Sequence, residues 1–160
     1  MNIELRSFFE SDDSLLNIDY EFSADDEIFS SPIAVKGSVK SSASIVSLSA
    51  TAQFTVSVQC AKCAKDVIKK LNVPVNHFLI NHLNNEDNDE YILVENMVLN
   101  LDDLVLEDIY LSMPARFLCK NDCKGLCPNC GKDLNEGNCG CKKAIDPRLA
   151  VLQQFFDDEN

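Results

Sequence analysis

The chain has 160 residues, 46% of them hydrophobic and 25% charged, with five prolines. That is enough for one ordinary domain, with or without a small appendage, and it excludes a wholly disordered or collagen-like polymer. The formal net charge of −12 excludes a protein that coats nucleic acid or an anionic membrane with its whole surface.

In chain order, residues 1–30 carry nine acids and one base. The start lacks a basic stretch followed by an apolar one, so it does not read as a secretory signal. No run approaches the ~18–20 apolar residues of a membrane span. The expected location is therefore the cytoplasm. Residues 33–39 alternate loosely, and 43–50 and 52–60 alternate better. Phe54, Val56 and Val58 fall on one face; Thr55, Ser57 and Gln59 fall on the other. Period two with β-branched enrichment predicts half-buried antiparallel strands. Cys60-Ala61-Lys62-Cys63 sits at a turn, and 67–80 returns as one or two strands. The polar stretch 81–90 predicts a loop, and 91–95 a short strand. The period then changes. Asn100 is a suitable N-cap, with Asp102 and Asp103 in the first turn, where carboxylates favour the helix dipole. Leu101, Leu104, Val105 and Ile109 form an apolar stripe, and Pro114 marks the stop. Asp146-Pro147 opens a last helix through Leu149, Leu152 and Phe155, ahead of an acidic tail.

The expected class is α+β: an antiparallel β-rich body over 1–118 with a helix near 101–113, a Cys-rich zinc-knuckle segment over 119–143, and a C-terminal helix and acidic tail over 144–160. Charge is segregated along it. Residues 84–113 carry nine acids and no base, whereas eleven of the fourteen Lys and Arg lie in 60–83 and 114–148, the segments that hold every cysteine. Either these basic pieces contact phosphate, or their lysines offset the negative charge of thiolate-bound metal.

The eight cysteines form four tight pairs: Cys60/Cys63, Cys119/Cys123, Cys127/Cys130 and Cys139/Cys141. Disulfides are not expected where thiols are kept reduced, whereas two thiolates from one short turn readily share an ion. Cys127-Pro128-Asn129-Cys130-Gly131 is a zinc-knuckle pattern: proline preorganises the turn, and Gly131 takes the positive φ where the chain doubles back. Cys60-x-x-Cys63 alone also suits a redox dithiol. That chemistry wants a following helix inside a βαβ unit, and here the flanks read as strands.

Four pairs divide between two four-thiolate sites in three ways. The favoured division joins Cys127/Cys130 to Cys139/Cys141, a compact local loop with Gly137 and Gly140 to bend it. Cys60/Cys63 then meets Cys119/Cys123; the other two divisions stay open. All-thiolate ligation favours Zn²⁺, with an iron–sulfur cluster as the alternative. Closed four-thiolate sites are structural rather than catalytic. Structural zinc contributes ~10–16 kcal/mol in small peptides, as much as a whole domain's stability, so the Cys-rich segment is expected to need metal for order. No enzyme is expected. His77 and His82 do not form an H-E-x-x-H pattern, there is no G-x-S-x-G, P-loop or G-x-G-x-x-G, and every cysteine has a metal role available. Asp102, Asp103, Glu107 and Asp108 read as a solvated helix face.

The run from Leu104 to Pro114, then Cys119-x₃-Cys123-Lys-Gly-Leu-Cys127-Pro-Asn-Cys130-Gly131, then Cys139-Gly-Cys141 and Asp146-Pro-Arg-Leu-Ala150, resembles the bacterial YceD family, the large ribosomal RNA subunit accumulation proteins. The likeness covers roughly 55–156, including the upstream Cys60-x-x-Cys63, and the first fifty residues add little to it. The resemblance implies a non-enzymatic role in accumulating or processing large-subunit (23S) rRNA. It also implies a gene commonly beside that of a small, often zinc-binding, large-subunit ribosomal protein. Some relatives keep the C-x-x-C and lose the second cluster, which implies two separable sites.

Two partner classes follow. Lys62, Lys65, Lys69, Lys70, Arg116, Lys120, Lys124, Lys142 and Lys143 could meet rRNA phosphates or a pre-50S particle. Alternatively, the acidic stretches could hold a basic ribosomal protein without RNA contact.

Overall fold

The computed structural model describes residues 1–11, 13–42, 45–82 and 91–141. The expected C-terminal helix and acidic tail (144–160), most of the 81–90 loop, and Lys142 and Lys143 lie outside the described residues. Among those described, the elements in chain order are β1 (Asn2–Glu4), α1 (Arg6–Glu10), β2 (Leu15–Phe22), β3 (Ile33–Ser42), β4 (Ile45–Gln59), β5 (Asp66–Ile80), β6 (Tyr91–Leu93), β7 (Val98–Asn100) and α2 (Leu101–Ser112). Strands β2-β3-β4-β5-β6 form one sheet in that order, and β1 pairs with β7 in a second. All pairs are antiparallel except β5–β6, which is parallel. The strand-rich architecture with two helices and a cysteine-rich end is the α+β class expected from the sequence.

Alternation does the organising. Val46, Leu48, Ala50, Ala52, Phe54 and Val56 of β4 are all buried, as are Val73, Val75 and Leu79 of β5 and Ile33, Val35 and Val39 of β3. These rows make one apolar face, and α2 closes it with Leu101, Leu104, Val105 and Ile109, the stripe anticipated from helical spacing. Burying each Val, Leu, Ile or Phe among them is worth about 1.5–3 kcal/mol. Two polar contacts set the helix on the sheet. Tyr20 of β2 donates its hydroxyl to Asp102 at 2.7 Å, and His77 of β5 meets Asp108 at 2.7 Å. His77 faces inward because it shares the register of Val75 and Leu79.

Several details differ from the expectation. The stretches expected as 43–50 and 52–60 belong to one unbroken strand, Ile45–Gln59, because no breaker interrupts its period. The return, Asp66–Ile80, is likewise a single strand. Strands β1 and β2 and helix α1 were not anticipated. Asn100 holds the N-cap position of α2, yet its side chain donates to the Asp103 carboxylate at 2.5 Å rather than accepting a backbone N–H.

Candidate metal centres

The long β4–β5 hairpin carries Cys60 and Cys63 at its tip, clear of the sheet's core. Its turn closes with two backbone bonds, Cys60 N–H to the Lys65 carbonyl (2.8 Å) and Ala64 N–H to the Cys60 carbonyl (2.9 Å). The same pair recurs in the second knuckle: Cys127 N–H to the Lys132 carbonyl (2.8 Å) and Gly131 N–H to the Cys127 carbonyl (2.9 Å). The residue after the second cysteine is left-handed in both, Ala64 at φ 55° and Gly131 at φ 72°. The two C-x-x-C motifs are therefore one turn used twice, and neither opens a helix as a redox dithiol would.

After α2 ends, the buried Phe117 anchors the chain, and its carbonyl accepts Ala61 N–H at 2.8 Å. This brings Cys119 and Cys123 to the hairpin tip. Cys60, Cys63, Cys119 and Cys123 form one group and Cys127, Cys130, Cys139 and Cys141 another, with the sulfurs of each group all within 4.8 Å of one another. Of the three possible divisions, the fold assembles the one with a local second loop. Cys60 Sγ lies 3.8 Å from Cys123 Sγ, and Cys63 Sγ lies 3.5 Å from Cys119 Sγ. Disulfide sulfurs would be ~2.05 Å apart. Sulfurs ~2.3 Å from a shared tetrahedral centre are about 3.8 Å apart, so the donor set fits a thiolate-bound ion. The first group is the drier, with Cys60, Cys63 and Cys123 buried and Cys119 exposed. In the second group only Cys127 is buried.

Backbone amides prepare these sulfurs. Burial pushes the Cys60 thiol up, but the N–H groups of Cys119, Lys62 and Cys63 outweigh it and bring it down to about 6. Cys127 is held at about 6 by the Cys130 and Asn129 amides. Asn135 leads in lowering Cys123, with the Gly125 amide assisting against burial. Burial and the neighbouring sulfurs Cys63 and Cys123 push Cys119 up to about 12, and Cys130, burial and Cys139 do the same for Cys141. The Lys65 amide pulls Cys63 down, but burial and Cys60 prevail and raise it. Each cluster thus mixes ready thiolates with thiols that keep their protons near neutral pH and release them to a bound cation.

Two lysines expected to face a partner are engaged internally. Lys62 Nζ donates to the Cys123 carbonyl (3.1 Å), and Lys65 Nζ pairs with Asp133 (2.7 Å) and Glu136 (3.0 Å). Lys69, Lys70, Arg116, Lys120 and Lys124 remain exposed. The spacing of cysteines did not point to Asn135, which donates to Cys123 Sγ at 3.4 Å. Its only signal was Asp133-x-Asn135, a pattern suited to an Asx turn, which the Asn135 N–H to Asp133 bond (2.8 Å) makes.

The family model of the large ribosomal RNA subunit accumulation protein YceD matches residues 48–156. The chain belongs to this family. The match spans all but the first three residues of the hairpin, together with α2 and all eight cysteines of the two groups. The family's description places its members in large ribosomal RNA accumulation and names no reaction. Similar curated relatives are uncharacterized proteins of Mycobacterium bovis and of two strains of Mycobacterium tuberculosis. Each is 27% identical over 106 residues, covering 64% of this chain and 51% of the relative. The chain thus spans about half the length of the curated relatives it matches. No solved structure matches it. Among the described residues, no helix is long and apolar enough to cross a membrane.

Proposed function

We propose that this YceD-family chain is a non-enzymatic zinc-binding factor in large-subunit ribosome biogenesis, and that its cysteine-bearing end contacts large-subunit rRNA. The observation that carries the reading is the pair of four-sulfur groups in a family described by large-subunit rRNA accumulation. Sulfur-only donor sets favour Zn²⁺ over oxygen-seeking ions, and a closed set of four has no open position for a substrate. Zinc would be held by Cys60, Cys63, Cys119 and Cys123 in one site and by Cys127, Cys130, Cys139 and Cys141 in the other. There it would order segment 119–143 on the 1–118 body. Lys69, Lys70, Arg116, Lys120 and Lys124 supply exposed positive charge around this end. With few aromatic rings nearby, phosphate contact is the mode they suit.

The test is binding of the zinc-loaded chain to a large-subunit rRNA transcript across a salt series. Affinity should fall steeply with salt, and Lys120→Ala with Lys124→Ala should flatten the log–log slope by about two. Salt-insensitive or absent binding rules out direct contact.

A second reading, capture of a basic ribosomal protein, is favoured by the outer stripe of α2. Asp103, Glu107 and the 79%-exposed Leu111 follow i, i+4, i+8 there, an acidic surface with an apolar anchor. Nuclease-resistant binding of such a protein, lost on Leu111→Glu, selects it over the first.

A further inference from the structure

We infer that the second four-cysteine group governs how tightly the first holds its metal, with Asn135 as the positioning residue between them. This rests on the metal reading above and adds a dependence between the two sites. Asn135 belongs to neither ligand set. It lies in residues 131–138, between the Cys130 and Cys139 ligands of the second group, yet its Nδ2 donates to Cys123 Sγ of the first (3.4 Å). The orientation of its amide follows from its other contacts. Lys124 N–H donates to Oδ1 at 3.0 Å, so Oδ1 must face that amide, while Nδ2 faces the sulfur and Asp133 Oδ1 at 2.7 Å.

The loop carrying Asn135 is tied to the first knuckle through the link between Cys123 and Cys127 and directly by Lys65. Leu126 N–H donates to the Lys62 carbonyl (3.1 Å), and Leu134 N–H donates to the Gly125 carbonyl (2.9 Å). Lys65, two residues past Cys63, grips Asp133 and Glu136 from the other side. A chain joining two ligand pairs is ordered when both pairs share one ion. Without that closure the eight residues 131–138 sample many conformations, and Asn135 meets the sulfur only part of the time. A donor that meets a coordinated thiolate fixes its orientation and stabilises its charge, and losing such an outer partner typically weakens metal affinity ~10–100-fold. By linkage the dependence is reciprocal, so filling the first group strengthens the second by the same factor.

Zinc release from the full chain to a chromogenic chelator, with native mass spectrometry to count ions, tests this. Wild type should carry two zinc ions and release the more exposed second-group ion in the faster phase, while the first group is still filled. Cys63→Ser with Cys119→Ser should leave one ion, released roughly 10–100-fold faster than that fast phase, because the dependence is reciprocal. Asn135→Ala should keep both ions and accelerate the same fast phase. In the cobalt-loaded protein, Asn135→Ala should also move the sulfur-to-cobalt charge-transfer band to lower energy, because the thiolate loses a hydrogen bond. Glu136→Gln, which touches only the Lys65 tether, should leave the band in place. A two-zinc wild type whose fast phase is unmoved in both variants overturns the coupling alone. A wild type holding fewer than two ions overturns the metal reading and this dependence with it.

Discussion

Ala64 and Gly131 occupy equivalent places in two turns closed by the same backbone hydrogen bonds, and only one of them is the residue that the backbone prefers. A left-handed φ brings Cβ toward the following carbonyl and costs an L-residue roughly 1–2 kcal/mol, a penalty glycine escapes. At Ala64, with φ 55°, that strain is present in the native turn; at Gly131, with φ 72°, it is absent, and open space surrounds the missing Cβ. The two sites therefore predict opposite responses. Ala64→Gly should stabilise the zinc-loaded protein, and Gly131→Ala should destabilise it, each by about 1 kcal/mol. Thermal unfolding of the two variants beside wild type checks the pair, and shifts of the same sign would disprove the equivalence of the turns.

At the scale of elements, legibility followed burial. Strand β4 was readable because every second residue enters the core, and α2 because Leu101, Leu104, Val105 and Ile109 mark one face. Strand β2 was not. It lies at the sheet's edge, most of its side chains reach solvent, and Asp19 and Glu21 lie on its outer face, so its composition reads as part of an acidic stretch. Pairing with β3 from Leu15↔Lys40 to Phe22↔Ile33 makes it a strand, a long-range fact that local periodicity does not carry. Gly37 was equally silent. It pairs with Ala50, and a Cβ there would sit 2.3 Å from the Ser49 carbonyl oxygen and 2.4 Å from Ala50 Cα, both backbone atoms that cannot swing aside. Gly37→Val should therefore force β3 off β4 and cost about 3 kcal/mol or more, as overpacking of a dense site does. Urea unfolding of the zinc-loaded chain measures it; an unchanged midpoint would mean that the strands accommodate the side chain.

Across the whole molecule, the ligand candidates were legible because chemistry fixes their spacing: cysteines in close pairs announce chelation wherever the fold places them. What joins the two groups was not legible, since Asn135, Lys65 and Asp133 are ordinary polar residues whose roles depend on a contact across the sequence. Charge changed meaning for the same reason. Lys62 and Lys65 count as surface cations in composition, yet the fold uses Lys62 to join the hairpin tip to Cys123 within the first group, and Lys65 to hold the loop beyond the second knuckle. The net charge of −12 is also provisional, since two Zn²⁺ ions on eight thiolates would take it to −16.

That change is a proton exchange, and its pH dependence follows from the sulfurs. In the metal-free first group Cys60, near 6, is already a thiolate at neutral pH. Cys63 and Cys119, both raised, still hold their protons. Binding a cation must therefore expel at least two protons, so affinity rises with pH, by at least about two log units per pH unit between roughly pH 7 and 9. Below about 6 the Cys60 proton joins them and the slope steepens. Chelator competition on Cys130→Ser with Cys141→Ser isolates the first group and reads this slope directly. A flat or falling dependence would show that the four sulfurs do not ionise on binding, and would remove the ground for reading them as a zinc site.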